Sequence, residues 1–331
     1  MRIFLFLSAL IIFVSDISAQ YNRTVVVEHF TNTVCSVCAN RNPGFYDNLN
    51  AHPDVLHIAY HPSSPYSSCV LNQHNVEGND ERTNYYGVYG GTPVLVIAGE
   101  PIHVATDYSD PELFEPYANQ NSNVEITIQQ YKENGILYAL VTLLIEEAVG
   151  GTDMWLTVPI VEKVVNYNAP NGESQHHDVF RRSGFQSGNA TQINFVNPGV
   201  YLIDVNIQVD IDEAWDADQI YTMAILQHVE SKEVIQASAV SPNLNIPINT
   251  GAINSLQGIT IGPNPVKSQL GIQLQNTLAS TAKLFSLTGQ LLAIQAFSGQ
   301  TSIDVNNLTP GIYMLEIRNE EGMAVEKIVV H

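Results

Sequence analysis

A pair of cysteines is the feature of this sequence best suited to chemistry. Cys35 and Cys38 enclose Ser36 and Val37 in a CxxC motif. In thiol-disulfide exchange one thiolate attacks a disulfide and a second thiol resolves the mixed disulfide, so we expect Cys35 to attack and Cys38 to resolve. The same spacing also suits a structural or inert disulfide, or half of a zinc site that Cys69 and a histidine would have to complete.

The segments around the motif are typical of a strand followed by a helix. Residues 24–30 are rich in β-branched and aromatic side chains, as in a buried strand, and residues 35–51 lack strand alternation and suit a helix. Cys35 then lies at a helix N-terminus, where unpaired N–H groups and the helix dipole favour the thiolate. The pattern continues with predicted strands at residues 55–60, 93–98 and 102–105 and predicted helices at residues 78–88 and 110–119.

The sheet edge that holds Cys35 should also hold a proline turn. With a right-handed crossover between the first two strands and an antiparallel third strand, residues 61–75 and the dipeptide Thr92-Pro93 converge on Cys35. A strand that opens with proline is permitted, and a cis Thr92-Pro93 bond would present the Thr92 backbone to a substrate disulfide. Thr92 and Pro93 are therefore candidate site residues.

Four further side chains are candidates for supporting roles. Glu28 or His29 is predicted to be the buried proton acceptor behind Cys38, and strand alternation lets only one of the two face the dithiol. The alternative is that one of them is a core polar group with its hydrogen bonds satisfied and the other faces solvent. Cys69 lies in the loop predicted above the site, where it would pair with Cys35, trap a partner, or remain a buried free thiol. His61 begins the same loop and would tune the thiolate, or else be solvated.

The amino-terminal residues and the overall charge restrict the location and the partners. Residues 1–19 contain Arg2, an apolar run and Ser18-Ala19, which is the pattern of a secretory signal peptide, and no later segment suits a transmembrane helix. Export to an oxidising compartment permits a disulfide. With 13 basic and 33 acidic residues the formal net charge is -20, so nucleic acid is not an expected partner. Dithiol exchange requires no cofactor, and none is expected.

After residue 121 the predicted elements change from mixed helices and strands to strands alone, which predicts several domains. We expect an α/β domain at residues 20–121, a β-sandwich at residues 122–245, a linker at residues 246–258 and a second small β-sandwich at residues 259–331. The second and fourth segments consist of short strands separated by Gly, Pro and Asn turns, and the linker is rich in Pro, Asn, Ser and Gly.

Two polar patterns in the predicted β-sandwich contain side chains that can bind metals. The run His176-His177-Asp178 lies in a strand, where adjacent side chains point to opposite faces of the sheet. The acidic residues between 210 and 218 lack the glycine and glutamate spacing of an EF-hand loop. A core strand and a solvated turn are the simpler interpretations, with a metal as the alternative in each case.

The last seventy or so residues resemble the type A C-terminal sorting domain of the type IX secretion system of Bacteroidota. The resemblance rests on Pro263-Asn264-Pro265, on residues 287–292 (LTGQLL) and 308–317 (LTPGIYMLEI), and on the apolar strand at residues 327–331. It implies recognition by the type IX machinery, passage across the outer membrane, and usually removal of the domain. The expected location is therefore the outer-membrane surface or the medium.

The preceding units resemble the outer membrane protein 28-related family, which combines a thioredoxin-like domain with a β-sandwich. The matching motifs are residues 27–31 (VEHFT), the CxxC, residues 91–93 (GTP) and residues 176–181 (HHDVFR). The chain departs from the family at Val34, where an aromatic residue is usual, and at Ala39, where a proline is common. The implied fold class is an α/β thioredoxin-like domain followed by two all-β sandwich domains.

Two functions are consistent with these patterns. The first is a thiol-disulfide oxidoreductase that acts on the thiols and disulfides of extracellular or envelope proteins. The second is a non-enzymatic cell-surface binding or adhesive protein, since a fold does not fix a function. In the second case the CxxC would be a structural or inert disulfide.

Overall fold

The computed structural model of the chain describes residues 21–242, 258–286, 290–319 and 322–331. The predicted signal peptide at residues 1–19 lies outside the described residues, as do residues 246–257 of the predicted linker.

Strands are the main elements of the described chain. The first part contains β1 (Tyr21–Asn22), β2 (Val26–Phe30), α1 (Ser36–Ala51), β3 (Leu56–Tyr60), α2 (Val70–Gln73), α3 (Val76–Tyr86), β4 (Val94–Ile97), β5 (Glu100–Pro101), a 3-10 turn (Glu115–Tyr117) and β6 (Asn121–Ser122). The middle part contains β7 (Val124–Glu133), β8 (Ile136–Ala148), β9 (Thr152–Thr157), β10 (Pro159–Asn166), β11 (Gln175–Ser183), β12 (Ala190–Phe195), β13 (Gly199–Asp210), a 3-10 turn (Ala217–Gln219), β14 (Ile220–His228) and β15 (Val234–Ala239). The last part contains β16 (Ile259–Gly262), β17 (Gln269–Leu274), β18 (Ala279–Ser286), β19 (Gln290–Ser298), β20 (Gln300–Asp304), β21 (Gly311–Asn319) and β22 (Gly322–Val330).

Strand β2 is the centre of the part that carries the cysteines. It pairs in parallel with β3 and antiparallel with β4, and α1 connects β2 to β3. All five residues of β2 are buried, because both faces of the strand are covered. One face packs with Phe45 of α1 through Val27, and the other contributes Val26 and Phe30 to a second core.

The predicted fold class, an α/β thioredoxin-like domain followed by two all-β sandwich domains, is wrong. The structure is mostly β, and α1, α2 and α3 have only 16, 4 and 11 residues. Strand β3 pairs with β11 at Ala59 and Val179, and this pairing places β2 to β5 in one ten-stranded sheet with β9 to β12, β14 and β15. An edge strand leaves backbone groups unpaired, and β11 satisfies those of β3 instead of closing a separate sandwich.

A second ten-stranded sheet covers the first and continues into the last part of the chain. Its strands β7, β8 and β13 pair in order, and β13 also pairs with β19 at Tyr201 and Gln290. Buried and partly exposed residues alternate along β8, so one face of this sheet faces the core. That face packs against the apolar side chains of β9, β10 and β14, which include Leu156, Ile160 and Leu226.

Candidate functional site

The first cysteine of the CxxC motif caps the helix that follows it. Helix α1 begins at Ser36, and the Cys35 Sγ accepts a hydrogen bond from the Cys38 N–H at 3.1 Å. The Cys35 thiol donates to the Thr92 carbonyl at 3.2 Å, and the Thr92-Pro93 peptide bond is cis. The structure therefore places Cys35 against the predicted proline turn. Cys35 is only 2% exposed.

The second cysteine lies deeper in the protein. Cys38 is fully buried on the inner face of α1, and all three cysteines of the chain are free thiols in this structure. Burial raises the pKa of Cys38 to about 12, and its hydrogen bond with Cys35 acts in the same direction. Cys38 is consequently a thiol throughout the neutral pH range, so it needs a proton acceptor before it can attack a sulfur.

The loop at residues 61–75 packs beside the start of α1, as expected. The Asn32 amide donates to the carbonyls of Pro62 and Tyr66 at 3.0 and 3.3 Å. Cys69 is fully buried, and its Sγ accepts a hydrogen bond from the Thr33 hydroxyl at 3.1 Å. The third thiol is thus close to the segment that leads into the dithiol.

His61 is buried at the start of this loop. Its N–H donates to Asn79 Oδ1 and its carbonyl accepts from the Asn72 amide, both at 2.7 Å. Burial lowers the pKa of His61 well below its usual range, and the nearby His176 adds to this effect. The structure gives His61 hydrogen bonds that hold the loop, and its ring is neutral.

Glu28 and His29 lie on opposite faces of β2, as strand alternation requires. Glu28 belongs to the face away from α1, where Arg82 donates to both carboxylate oxygens at 2.5 and 2.7 Å. The Tyr86 hydroxyl donates to the same carboxylate at 2.6 Å, and Arg82 also donates to Gln227 at 2.7 Å. Glu28 is therefore the anion of a buried ion-pair network and does not face the dithiol helix.

His29 lies beneath α1. Its ring packs edge-on against Phe45 and Tyr46, with ring centroids 4.9 and 6.1 Å apart. Burial lowers the pKa of His29 well below its usual range, and the neighbouring His57 contributes in the same direction. Both ring nitrogens are buried, and neither has a hydrogen-bond partner within the described residues. The Asn42 side chain lies near the His29 ring and acts to raise its pKa, but it makes no well-aligned hydrogen bond with either nitrogen. His29 is thus a neutral imidazole.

A histidine and an aspartate that sequence analysis did not place in the site lie beside His29. His57 Nδ1 is 3.0 Å from Asp178 Oδ2, and Asp178 Oδ1 accepts from Lys163 Nζ at 2.7 Å and from the Tyr221 hydroxyl at 2.8 Å. Burial alone would raise the pKa of Asp178, but the hydrogen bond with His57 and the charge of Lys163 outweigh it and lower the pKa.

This group opens onto a cavity on the side of the sheet near α1. The cavity has a volume of about 490 Å³, and its polar lining includes Tyr46, His57, Lys163, His177, Asp178 and Tyr221. The ring centroids of His57 and His29 are 5.6 Å apart. No local pattern marks His57 in its buried strand, and in the sequence Asp178 belongs only to the run weighed as a metal site and to the HHDVFR motif.

The turn between β10 and β11 completes the site. The Asn171 amide donates to the Cys35 carbonyl at 3.1 Å, to the Asn32 carbonyl at 3.3 Å and to Glu173 Oε2 at 2.6 Å. Glu173 Oε1 accepts from the buried Asn42 of α1 at 2.8 Å. We call residues 167–174 the clip. The clip is not predicted from the sequence, because residues 122–245 are expected to form a separate domain.

The patterns weighed as metal sites have other partners in the structure. His176 contacts the Tyr167 carbonyl at 3.0 Å through Nε2, and the acidic side chains of Asp212 and Asp216 accept backbone N–H bonds inside their own turns. Within residues 21–242 and the described parts of 258–331, no three histidine, cysteine, aspartate or glutamate side chains are grouped so as to hold a metal ion.

Comparison with known proteins identifies the last part of the chain. Residues 260–331 match the secretion system C-terminal sorting domain. This domain directs the chain to the type IX secretion machinery, and the protein is exported to the cell surface or secreted. Among the described helices, none is both long enough and apolar enough to cross a membrane. No curated protein matches the sequence.

One solved structure is similar to this chain over most of its length. HBP35 of Porphyromonas gingivalis superposes with a TM-score of 0.57 at 14% identity, over 94% of this chain and 99% of that chain. Two others have TM-scores too low to support an argument. They are a protein of Agrobacterium tumefaciens (TM-score 0.42, 16% identity, 69% of this chain and 98% of that chain) and a domain of the outer membrane lipoprotein Omp28 from Porphyromonas gingivalis (0.26, 15%, 38% and 92%). The likeness to HBP35 shows a shared fold.

Proposed function

We propose that this exported protein is a thiol-disulfide oxidoreductase whose dithiol, Cys35 and Cys38, exchanges disulfides with extracellular or envelope proteins. The observation that carries the proposal is the setting of Cys35. Its sulfur lies at the N-terminus of α1, where it accepts the Cys38 N–H, and it contacts the Thr92 carbonyl beside Pro93. The motifs shared with the outer membrane protein 28-related family agree with this proposal.

The exchange proceeds in two steps. The Cys35 thiolate attacks one sulfur of a substrate disulfide, which forms a mixed disulfide and releases the first substrate thiolate. Cys38 then loses its proton and attacks Cys35 Sγ, which forms the Cys35–Cys38 disulfide and releases the second substrate thiolate. The substrate disulfide is reduced and the dithiol is oxidised. Once Cys35 has lost its proton, the Thr92 carbonyl is free to accept a substrate N–H.

His29 is the proton acceptor for Cys38 in this proposal. Glu28 already carries three hydrogen bonds on the opposite face of β2. His29 lies under the face of α1 that carries Cys38 and Phe45, is neutral, and has unused nitrogens. Cys69 and His61 support the segment next to the dithiol, and they hold the loop without a part in the exchange.

The burial of Cys35 favours one competing function. With 2% exposure and a clip bonded to its carbonyl, the dithiol would be an inert element of a surface-binding or adhesive protein. The two functions differ in whether Cys35 reacts with protein disulfides while the chain is folded.

A trapping experiment separates them. Reduced Cys38→Ser protein is incubated with insulin, a soluble protein with accessible disulfides, and with an outer-membrane extract. The variant lacks the resolving thiol, so a long-lived mixed disulfide through Cys35 is expected on a non-reducing gel. Cys69→Ser in the same background should leave the adduct, and Cys35→Ser should remove it. If no adduct forms while the wild-type protein still binds cells, the adhesive function is correct.

A further inference from the structure

The unused nitrogens of two buried histidines lie between the dithiol helix and the cavity. Neither ring nitrogen of His29 has a hydrogen-bond partner within the described residues, and the same holds for His57 Nε2. Buried polar groups are nearly always paired, because an unpaired one costs free energy. Two adjacent imidazoles with unpaired nitrogens therefore require an explanation beyond packing.

Asp178 decides which nitrogen of His57 is free to accept a proton. The Asp178 carboxylate can only accept, so His57 Nδ1 carries the hydrogen of their 3.0 Å bond. His57 Nε2 then has a lone pair. The ring centroid of His29 lies 5.6 Å from that of His57, and the two rings share no direct hydrogen bond, so one bridging water would connect them. The N–H of the neutral His29 ring can donate, and His57 Nε2 can accept.

The backbone at Asp178 is in a conformation that non-glycine residues seldom adopt. Its φ is +51°, in the left-handed region, although it lies inside β11. Such conformations persist only where the surroundings hold them, and they concentrate at functional sites. Here the conformation accompanies a carboxylate that contacts His57, Lys163 and Tyr221 at once.

Titratable and charged side chains surround the two imidazoles. The titratable and charged groups that face the two imidazoles come from every neighbouring element, and they are Arg41 and Tyr46 of α1, His61 after β3, Lys163 of β10, His177 and Asp178 of β11 and Tyr221 of β14. Asp178 is the anion in contact with His57, and Lys163 offsets part of its charge.

We propose that His57 and Asp178 are positioning residues that draw the proton of Cys38 away through His29 and release it at the cavity of about 490 Å³. This inference rests on the proposed function. Cys38 gives its proton to His29, and its electron pair forms the new bond to Cys35 Sγ. His29 passes a proton to His57 Nε2, and the resulting imidazolium is stabilised by Asp178. Water in the cavity, next to the half-exposed Lys163, accepts the proton last.

The aromatic disulfide DTNB resolves the two steps in one experiment. In a Cys69→Ser background, attack by Cys35 releases one TNB anion and resolution by Cys38 releases a second, so stopped-flow absorbance gives two phases. Asp178→Asn keeps the shape of the side chain, and asparagine tolerates a positive φ. We expect it to slow the second phase roughly ten- to a hundredfold at neutral pH, as loss of a proton acceptor does, and to leave the first phase unchanged.

The pH profile and two further variants distinguish proton transfer from a structural role. In Asp178→Asn the rate of the second phase should continue to increase with pH in the range where the rate of the parent protein is already constant. Lys163→Gln, at a half-exposed side chain, should accelerate the second phase severalfold. Without the Lys163 charge, the Asp178 carboxylate stabilises a protonated His57 more strongly. Glu112→Gln, at an exposed side chain outside the cavity lining, should change neither phase.

Equal second phases in the parent and in Asp178→Asn would overturn the relay while the proposed function stands. Should Asp178→Asn fail to fold, Lys163→Gln decides: an unchanged or slower second phase rejects the relay. A parent protein that releases no second TNB overturns the proposed function and the relay with it.

Discussion

Replacing Glu28 with glutamine is expected to lower the free energy of unfolding by about 3–5 kcal/mol, the usual cost of removing one partner of a buried ion pair. The Arg82 guanidinium is 3% exposed and would remain charged with no anion to pair with. Arg82 also donates to Gln227, so the substitution would weaken the contacts that join β2, α3 and β14. Denaturant unfolding followed by circular dichroism measures the change.

The chain offers a matched control for this variant. Glu233 forms an ion pair with Arg23 at 2.8 Å, but the Glu233 side chain is 55% exposed. Glu233→Gln should therefore cost less than about 1 kcal/mol. If Glu28→Gln costs no more than Glu233→Gln, the buried network does not hold these elements together, and Glu28 would again be a candidate for the dithiol chemistry.

Replacing Asn171 with alanine is expected to increase the rate at which iodoacetamide alkylates Cys35 by about thirtyfold. The Asn171 amide bonds the Cys35 and Asn32 carbonyls and the Glu173 carboxylate. Losing these bonds should cost about 2 kcal/mol, since one acceptor is charged. Cys35 is 2% exposed, so its reactivity reports how often the segment before α1 opens.

Asn171→Asp and Asn168→Ala test whether the clip itself controls this opening. Asn171→Asp retains the oxygen that accepts the Glu173 N–H but has no amide to donate, so it should accelerate alkylation at least as much as alanine. Asn168 is an exposed residue of the same turn, and Asn168→Ala should leave the rate unchanged. Equal rates in all variants would mean that the clip does not limit access to Cys35. Mass spectrometry identifies the alkylated cysteine.

Local sequence patterns were sufficient to locate the dithiol. The apolar run before Cys35 forms β2, and the helix begins at Ser36, where the loss of alternation indicated it. The proline turn at Thr92-Pro93 contacts Cys35 because the strand order brings it there. Less regular segments were predicted less well: residues 110–119 form only a short 3-10 turn at Glu115–Tyr117 in place of a helix.

Contacts between distant segments could not be predicted. The pairing of Ala59 with Val179 joins two segments that looked like separate domains, and no residue in either strand specifies its partner. The same pairing carries Asp178 to His57 and the clip to Cys35. A resemblance in short motifs predicted the wrong fold class, because the motifs say nothing about which strand covers the edge of β3. The site residues that it implies stay a prediction.

The domain boundaries near residues 121, 245 and 258 stay predictions. The sorting domain is established by its match over residues 260–331. Export removes the protein from the reducing cytoplasm, so disulfides are stable where it acts. A Cys35–Cys38 pair that is oxidised and never reduced there would be inert. The proposed function therefore depends on a dithiol that cycles in the folded protein.

Equilibration of the folded wild-type protein with mixtures of reduced and oxidised glutathione tests that dependence most directly. Thiols are alkylated at each ratio, and mass spectrometry counts the labels on each cysteine. We predict a reversible conversion of Cys35 and Cys38 together from two thiols to one disulfide, with Cys69 a thiol throughout. The account is contradicted if Cys35 and Cys38 remain thiols at every ratio, if their disulfide does not reopen without unfolding, or if Cys35 pairs with Cys69.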